Sequence, residues 1–483
     1  MEFIELLWER FRHWLEPFVY LSNNVLSLAG VVVVTTTTVL WVAMLPMLVH
    51  GEMANPYTGI LAFLVLPGAF FGGLALIPLG IFWNRRRQVR RGELPATMPA
   101  LDFHNVRLRR LLLFVGLTTV ANLVIAGQLT YGALHYMDGV TFCGRTCHVV
   151  MEPEYNAYQN SPHSRVECVK CHIGPGASWF VKSKLSGMHQ VFAVLFNTYE
   201  RPIPTPVHNL RPARETCEAC HWPQKYGEDR LRIVQKYADD ETNSMTKTVL
   251  LMRIGGGRYG GPGIHGAHLG EGVTIRYAHS DEKRQTIPWV ESARNGKSAI
   301  FTAPGTPLDA DKHFAVRVMD CVDCHNRPSH SYELPERAVD RDMAGGIVPP
   351  ALPFAKKHSI DVLKANYTSN EEAAQRIPVE FARFYREKHP EVYRQRKAEI
   401  DRAGQALLAI YRRNVFPAMK VSWGLYPNNI GHADFPGCFR CHDDQHTAAG
   451  DRKIGQDCNT CHQLLAMEEP APKILSDLGL DKK

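Results

Sequence analysis

Residues 143–172 read CGRTCHVVMEPEYNAYQNSPHSRVECVKCH, and the two cysteine pairs in this stretch decide how the whole chain is read. Cys143 and Cys147 are followed by His148, and Cys168 and Cys171 by His172. The pattern recurs at Cys217/Cys220 with His221, Cys321/Cys324 with His325, Cys438/Cys441 with His442, and Cys458/Cys461 with His462. These motifs use all 12 cysteines. Five read C-x-x-C-H and the first carries one extra residue. At the Cys and His frequencies of this chain, chance would supply about 0.01 copies of C-x-x-C-H, the attachment signature of c-type haem.

The chemistry accounts for the spacing. Two thiols a short step apart form thioethers to the two vinyl groups of one haem, and the adjacent imidazole reaches the iron as an axial ligand. Zinc would need four ligands per ion and gives no reason for a histidine after every second cysteine. Disulfides between such near neighbours would close very small loops and stabilise little. Six covalently bound haem c are therefore expected, with His148, His172, His221, His325, His442 and His462 as proximal ligands.

A chain of 483 residues, 45% apolar and 21% charged, has globular composition and room for more than one structural unit. Its first third differs from the rest. Val25–Val49, Ile60–Trp83 and Leu111–Tyr131 are uncharged apolar runs, each long enough for a helix to cross a bilayer. Between the last two, residues 84–110 carry eight arginines against Glu93 and Asp102, and the loop 50–59 has no Lys or Arg. The positive-inside rule then puts the arginine loop and the N-terminus in the cytoplasm, and everything after Tyr131 on the periplasmic or outer side. Haem c is attached on that side. The loop supplies +6 of the net charge of +7, so the basic balance is an orientation signal and gives no argument for nucleic acid. An amphipathic start, Phe3 to Trp14, is expected to lie on the inner surface of the cytoplasmic (inner) membrane.

The predicted architecture is a membrane-anchored, mainly α multihaem cytochrome c with a small β-rich insertion. Residues 1–135 form the anchor, with spans near 25–49, 60–83 and 111–131. Residues 136–225 carry motifs 1 to 3. Residues 226–315 form the β-rich insertion, with strands at Thr248–Ile254 and Gly272–Tyr277 between glycine turns. Residues 316–430 hold motif 4 and three helical stretches, Pro353–Tyr367, Glu371–Lys388 and Glu391–Val415, with Asn370 and Pro390 as boundaries. Residues 431–483 hold motifs 5 and 6 and a C-terminal tail.

Low-spin electron carriers need a sixth ligand on most irons, a further His or a Met. The candidates are Met151 beside motif 1, His163 before Cys168, His265 and His268 in the glycine-rich stretch, His330 after motif 4, His432 before Cys438, and His446 after His442. His189, His208, His279, His313, His358 and His389 are weaker candidates by position. Ser178–Phe196, rich in apolar residues and broken by Lys182, Lys184 and His189, reads as a helix lying in the lipid interface.

Three features resemble the NapC/NirT family of membrane-anchored multihaem quinol dehydrogenases. They are a membrane helix leading into a first motif with a nearby methionine (Cys143–Met151), the run Tyr155–His172, and a lysine soon after the second motif. CVDCHNRPSH (Cys321–His330) and GCFRCHD (Gly437–Asp443) are similar to longer relatives grouped with it. The resemblance implies oxidation of a membrane quinol, with electrons passed through the haems to a periplasmic or membrane-complex redox protein. Met151 would then ligate the first haem and Lys184 would hydrogen-bond the quinol head group. Members often carry an acidic residue a little further on, where this chain has Met188–Val191. The extra residue in motif 1 and three spans in place of one are further departures. Two other functions fit the residues: an electron-relay subunit that binds no quinol, and a terminal reductase of a small nitrogen oxyanion. Oligomeric assembly is compatible with each.

Overall fold

The computed structural model describes residues 2–50, 61, 65–95, 106–146, 148–174, 176–207, 210–222, 227–255 and 263–480. It divides into two compact units, Met1–Cys147 and His148–Lys483.

The first unit is helical: α1 (Glu2–Leu21), α2 (Val25–His50), α3 (Leu66–Arg91) and α4 (Val106–Asp138), ending in a π-turn at Phe142–Thr146. Among the described residues, Val25–Met44 and Leu66–Arg91 are long and apolar enough to cross a membrane. Helices α2 and α3 pack closely because small residues face each other. A Cβ placed on Gly30 would sit 2.7 Å from the carbonyl oxygen of Gly73, so only glycine fits there. Trp41, Leu66 and Phe70 fill the contact beyond it. The threonine run stays helical in apolar surroundings because Thr37 and Thr38 return their hydroxyls to the carbonyls of Val33 and Val34. The first five arginines of the expected loop instead extend α3, which stops where Gly92 turns left-handed (φ 65°).

The second unit opens with α5 (His148–Gln159), α6 (Cys168–His172), α7 (Ala177–Leu195) and α8 (Ala213–Cys217). Strands β1 (Arg230–Tyr237) and β2 (Met245–Met252), helix α9 (Ile264–Leu269), and strands β3 (Val273–His279), β4 (Trp289–Arg294), β5 (Lys297–Thr302) and β6 (Ala315–Val318) follow. Helices α10 (Cys321–Cys324), α11 (Pro335–Ala344), α12 (Ala355–Lys364), α13 (Asn370–Lys388) and α14 (Pro390–Asn414) come next. The chain closes with β7 (Thr447–Ala448), β8 (Arg452–Lys453), α15 (Cys458–Cys461), β9 (His462–Glu469) and α16 (Lys473–Asp477).

The strands form two sheets, ordered β1-β2-β9 and β6-β3-β4-β5-β7-β8. Both are completed by strands from the far end of the chain, so this unit is mixed in structure rather than mainly helical. The expected C-terminal tail is also corrected. Ala466 and Leu475 are buried against Val249, and that apolar contact fixes β9 and α16. Helices α11–α14 build a separate apolar core around Leu363, Ile377, Phe381, Tyr385, Ile400 and Leu407, all fully buried. Ser369 caps α13 by accepting from the Glu372 amide, and Pro390 opens α14 where its missing N–H costs nothing.

Candidate haem-binding sites

The cysteine pairs are presented by short helical turns. Helices α6, α10 and α15 each run from the first cysteine of a motif, α8 ends on Cys217, and a 3₁₀ turn at Gly437–Arg440 begins motif 5. One turn brings residues i and i+3 to one side, as two bonds to one macrocycle require. In motif 4 the turn is fixed by a capping box, with Asp320 and Asp323 each receiving the other's backbone N–H. In motif 6, Asp457 accepts from the Asn459 amide. Cys143 lies on the π-turn and Met151 is half-buried on α5, whereas Cys147 and the side chain of His148 lie outside the described residues.

Motif 3 departs from the arrangement of motifs 2, 4 and 6, where one helix carries both cysteines. Its second cysteine, Cys220, lies beyond the end of α8, on a turn, and is exposed. The reason is local: the Cys220 amide donates to the carbonyl of Cys217 (3.1 Å), a three-residue step that tightens the chain where the helix stops. The His221 amide donates to the same carbonyl (2.7 Å), so the turn still holds Cys217, Cys220 and His221 together. Cys171, Cys438 and Cys458 are exposed as well, and none of the described cysteines is in a disulfide.

Five motif histidines each face one other histidine. The ring centres are 6.2 Å apart for His172 and His330, and 5.8 Å for His221 and His163. His325 and His265 stand 6.3 Å apart, His442 and His268 5.8 Å, and His462 and His432 6.2 Å. With metal–imidazole bonds of about 2.0–2.1 Å and roughly 1 Å more from nitrogen to ring centre, two imidazoles on opposite sides of one metal have centres about 6 Å apart. Among the described residues no three His, Cys, Asp or Glu side chains converge as they would on a zinc ion. The histidines come in opposed twos, which suits an octahedral iron whose other four ligands belong to a macrocycle.

Several rings are already turned for that task. Nδ1 of His163 donates to the carbonyl of Pro328 (3.2 Å), Nδ1 of His268 to that of Ile264 (2.8 Å), and Nδ1 of His442 to that of Gly455 (3.0 Å). Each bond fixes the tautomer and leaves Nε2 as the free ligand atom. Burial holds the pKa of His172, His265, His268 and His325 below the ordinary histidine value, which favours the neutral, metal-binding form.

His446 falls outside this set, which corrects one expectation. Its ring is buried, with Nδ1 2.9 Å from Asp443 Oδ1 and Nε2 2.7 Å from the carbonyl of Ile287, so both nitrogens are occupied. Lys184 is half-buried on α7, whose Leu185, Met188, Phe192 and Leu195 are exposed at helical spacing.

The motifs are contiguous in space. Helix α6 packs on α8, and α8 on α10. The side chains of Cys217 and Cys321 interact, Arg440 in motif 5 donates to the carbonyl of Asp323 in motif 4 (2.8 Å), and His432, just before motif 5, stands 6.2 Å from His462 of motif 6. Motifs 2 to 6 therefore follow one another in space as they do in sequence. A polar network at the junction of motifs 4 and 5 had no signal in the motif pattern. Buried Asp323 receives Tyr277 Oη (2.7 Å), Arg317 Nε (2.7 Å) and Arg284 Nη1 (3.1 Å).

Comparison with known proteins agrees with this chemistry. A sequence model of the NapC/NirT cytochrome c family, N-terminal region, matches residues 106–204. The chain is 40% identical over 451 residues to the cytochrome c-type protein ImcH of Geobacter sulfurreducens, covering 92% of this chain and 88% of that protein. No solved structure matches. Five opposed histidine pairs beside cysteine turns, an apolar helical anchor and a relative of nearly the same extent lead to one assignment: the chain belongs to the NapC/NirT family and is a membrane-anchored c-type cytochrome carrying covalently bound haem c.

Proposed function

We propose that this cytochrome takes electrons from membrane quinol and conducts them through six haems to a redox partner on the outer side of the cytoplasmic membrane. The observation that carries this reading is the set of five opposed histidine pairs at 5.8–6.3 Å, laid out in chain order beside motifs 2 to 6. Bound haem supplies one-electron redox chemistry at each site. The residues of the chain supply spacing, axial ligands and burial. His172 with His330, His221 with His163, His325 with His265, His442 with His268, and His462 with His432 serve motifs 2 to 6 respectively. Met151 and His148 serve motif 1.

The membrane half of the proposal rests on α2, α3 and α4. Helix α4, 33 residues long, acts as the third span and leads into motif 1 within a few residues. The arginines at the end of α3 and the start of α4 hold those ends at the cytoplasmic face. Helix α7 turns its exposed apolar stripe into the lipid interface, with Lys184 at head-group level to hold the quinol hydroxyl.

Anaerobic reduction of the purified full-length protein by a menaquinol analogue tests the reading. The native chain should be reduced, and Lys184→Ala should lose at least tenfold in rate while dithionite still reduces every haem. Equal rates in both proteins would move the quinol site elsewhere. No reduction of the native chain by quinol would leave it a relay.

A further inference from the structure

The outer nitrogen of His330 has a carboxylate charge beside it as well as a backbone carbonyl. Nδ1 of His330 donates to the backbone carbonyl of Glu154 (3.0 Å), and the carboxylate Oε2 of the same residue lies 3.0 Å from that nitrogen without sharing its hydrogen bond. The corresponding nitrogens of His163, His268 and His442 meet neutral backbone carbonyls. Glu154 is largely buried, and so is the cation that answers it: Arg327 Nη1 stands 3.6 Å from Oε1, with side-chain exposures of 15% for Glu154 and 9% for Arg327. Arg327 is itself held over the ring of Tyr426 at 4.0 Å, and Tyr426 packs 5.4 Å from Tyr332. Glu154 sits one helical turn after Met151 on α5, whereas His330 and Arg327 follow motif 4, so two distant segments meet at this carboxylate.

We infer that the Glu154 carboxylate tunes the second haem: the backbone carbonyl of Glu154 turns the His330 ring with Nε2 towards the iron, the carboxylate charge beside the ring draws that haem's potential down, and Arg327 limits how far. The inference rests on His330 being the sixth ligand opposite His172. A carboxylate charge 3.0 Å from the outer nitrogen strengthens the imidazole as a donor, which stabilises the more positive ferric iron. A backbone carbonyl does so less, because it carries no net charge. Because Glu154 and Arg327 are shielded from solvent, their charges are felt at the iron with little screening. Arg327 partly cancels the anion, so removing either member should move the potential in opposite directions.

The test is potentiometric titration of the full-length protein in detergent, followed by optical and EPR spectra, for Glu154→Gln and Arg327→Gln. Glutamine at 154 keeps the size of the side chain and the backbone carbonyl that accepts the His330 N–H, and removes the charge. The expected result is one redox step shifted upward in the Glu154 variant. The same step should shift downward in the Arg327 variant, with haem content and the other steps unchanged in both. Unshifted steps in both, or shifts of the same sign, overturn the inference. His330→Ala separates this from the ligand assignment. If His330 is the sixth ligand, one haem becomes high-spin. If no haem changes spin state, the assignment fails and the inference with it.

Discussion

The guanidinium of Arg440, inside motif 5, donates a 2.8 Å hydrogen bond to the backbone carbonyl of Asp323, inside motif 4. Its other nitrogens hold the carbonyls of Arg284 (2.7 Å) and Gly437 (2.8 Å). One side chain therefore ties two haem-binding turns and the middle of the β3–β4 connection together. Electron transfer depends steeply on cofactor spacing, and these hydrogen bonds to backbone hold the two motif turns at a set separation.

Asp323→Asn tests the junction from the motif 4 side. The substitution leaves Arg284 and Arg317 facing a neutral amide in a site where the carboxylate is only 2% exposed. Removing one partner of a buried ion pair costs about 3–5 kcal/mol, so stability should fall by an amount in that range. Denaturant unfolding, followed through the haem Soret band, measures it. A change below about 1 kcal/mol would mean that the network is solvated and contributes little.

His446 and His432 were equivalent candidates by sequence, and the structure separates them. His432→Ala should convert one low-spin haem to high-spin, because His432 faces His462 at 6.2 Å. His446→Ala should leave all haem spectra unchanged and loosen the Asp443–Ile287 contact that it bridges. EPR of the two variants decides. A new high-spin signal from His446→Ala would restore it as a ligand.

The helical module should behave as an ordinary apolar core. Phe381 is fully buried among Tyr385, Ile377 and the ring of His358, which stacks on it at 5.6 Å. Phe381→Ala should cost about 3–5 kcal/mol. It should leave the haem potentials where they are, since helices α11–α14 carry no cysteine motif. Unfolding and redox titration of the same preparation separate the two effects.

The first turn of α13 carries an acid-sensitive cap. Hydrogen bonds from the Thr368 hydroxyl and amide, then from Arg376, lower the pKa of Glu372 from its ordinary 4.5 to about 2. A depressed carboxylate contributes stability that is fully present above pH 4.5 and is lost as the pH falls through about 2. Amide exchange at residues 368–373 should therefore be faster in Glu372→Gln than in the native chain at neutral pH. The two should converge near pH 2. A difference that persisted at that acid limit would mean that the cap acts by packing rather than charge.

Much of the site was legible in the residues because covalent attachment imposes a fixed spacing. C-x-x-C-H needs no tertiary context, and the candidate sixth ligands included every histidine now found opposite a motif histidine. The pairing was not legible. His163 lies five residues before Cys168 yet faces His221, and His330 lies five after His325 yet faces His172. Sequence distance predicts contact only within an element, and these pairs cross elements. The sheets were missed in part for the same reason: β9 pairs with β2 more than two hundred residues away. Helices α13 and α14 were read closely, because capping and proline boundaries are local signals. Glu154, Arg327 and Arg440 carried no signal, since a buried charge looks like a surface charge until its partner is known.

Haem stoichiometry and axial ligation, measured together on the purified full-length chain, bear most directly on the five histidine pairs. A haemochrome assay with intact mass should give six haems per polypeptide, and near-infrared magnetic circular dichroism should give five bis-histidine irons and one of different ligation. Fewer than six haems, or fewer than five bis-histidine irons, would contradict the assignment.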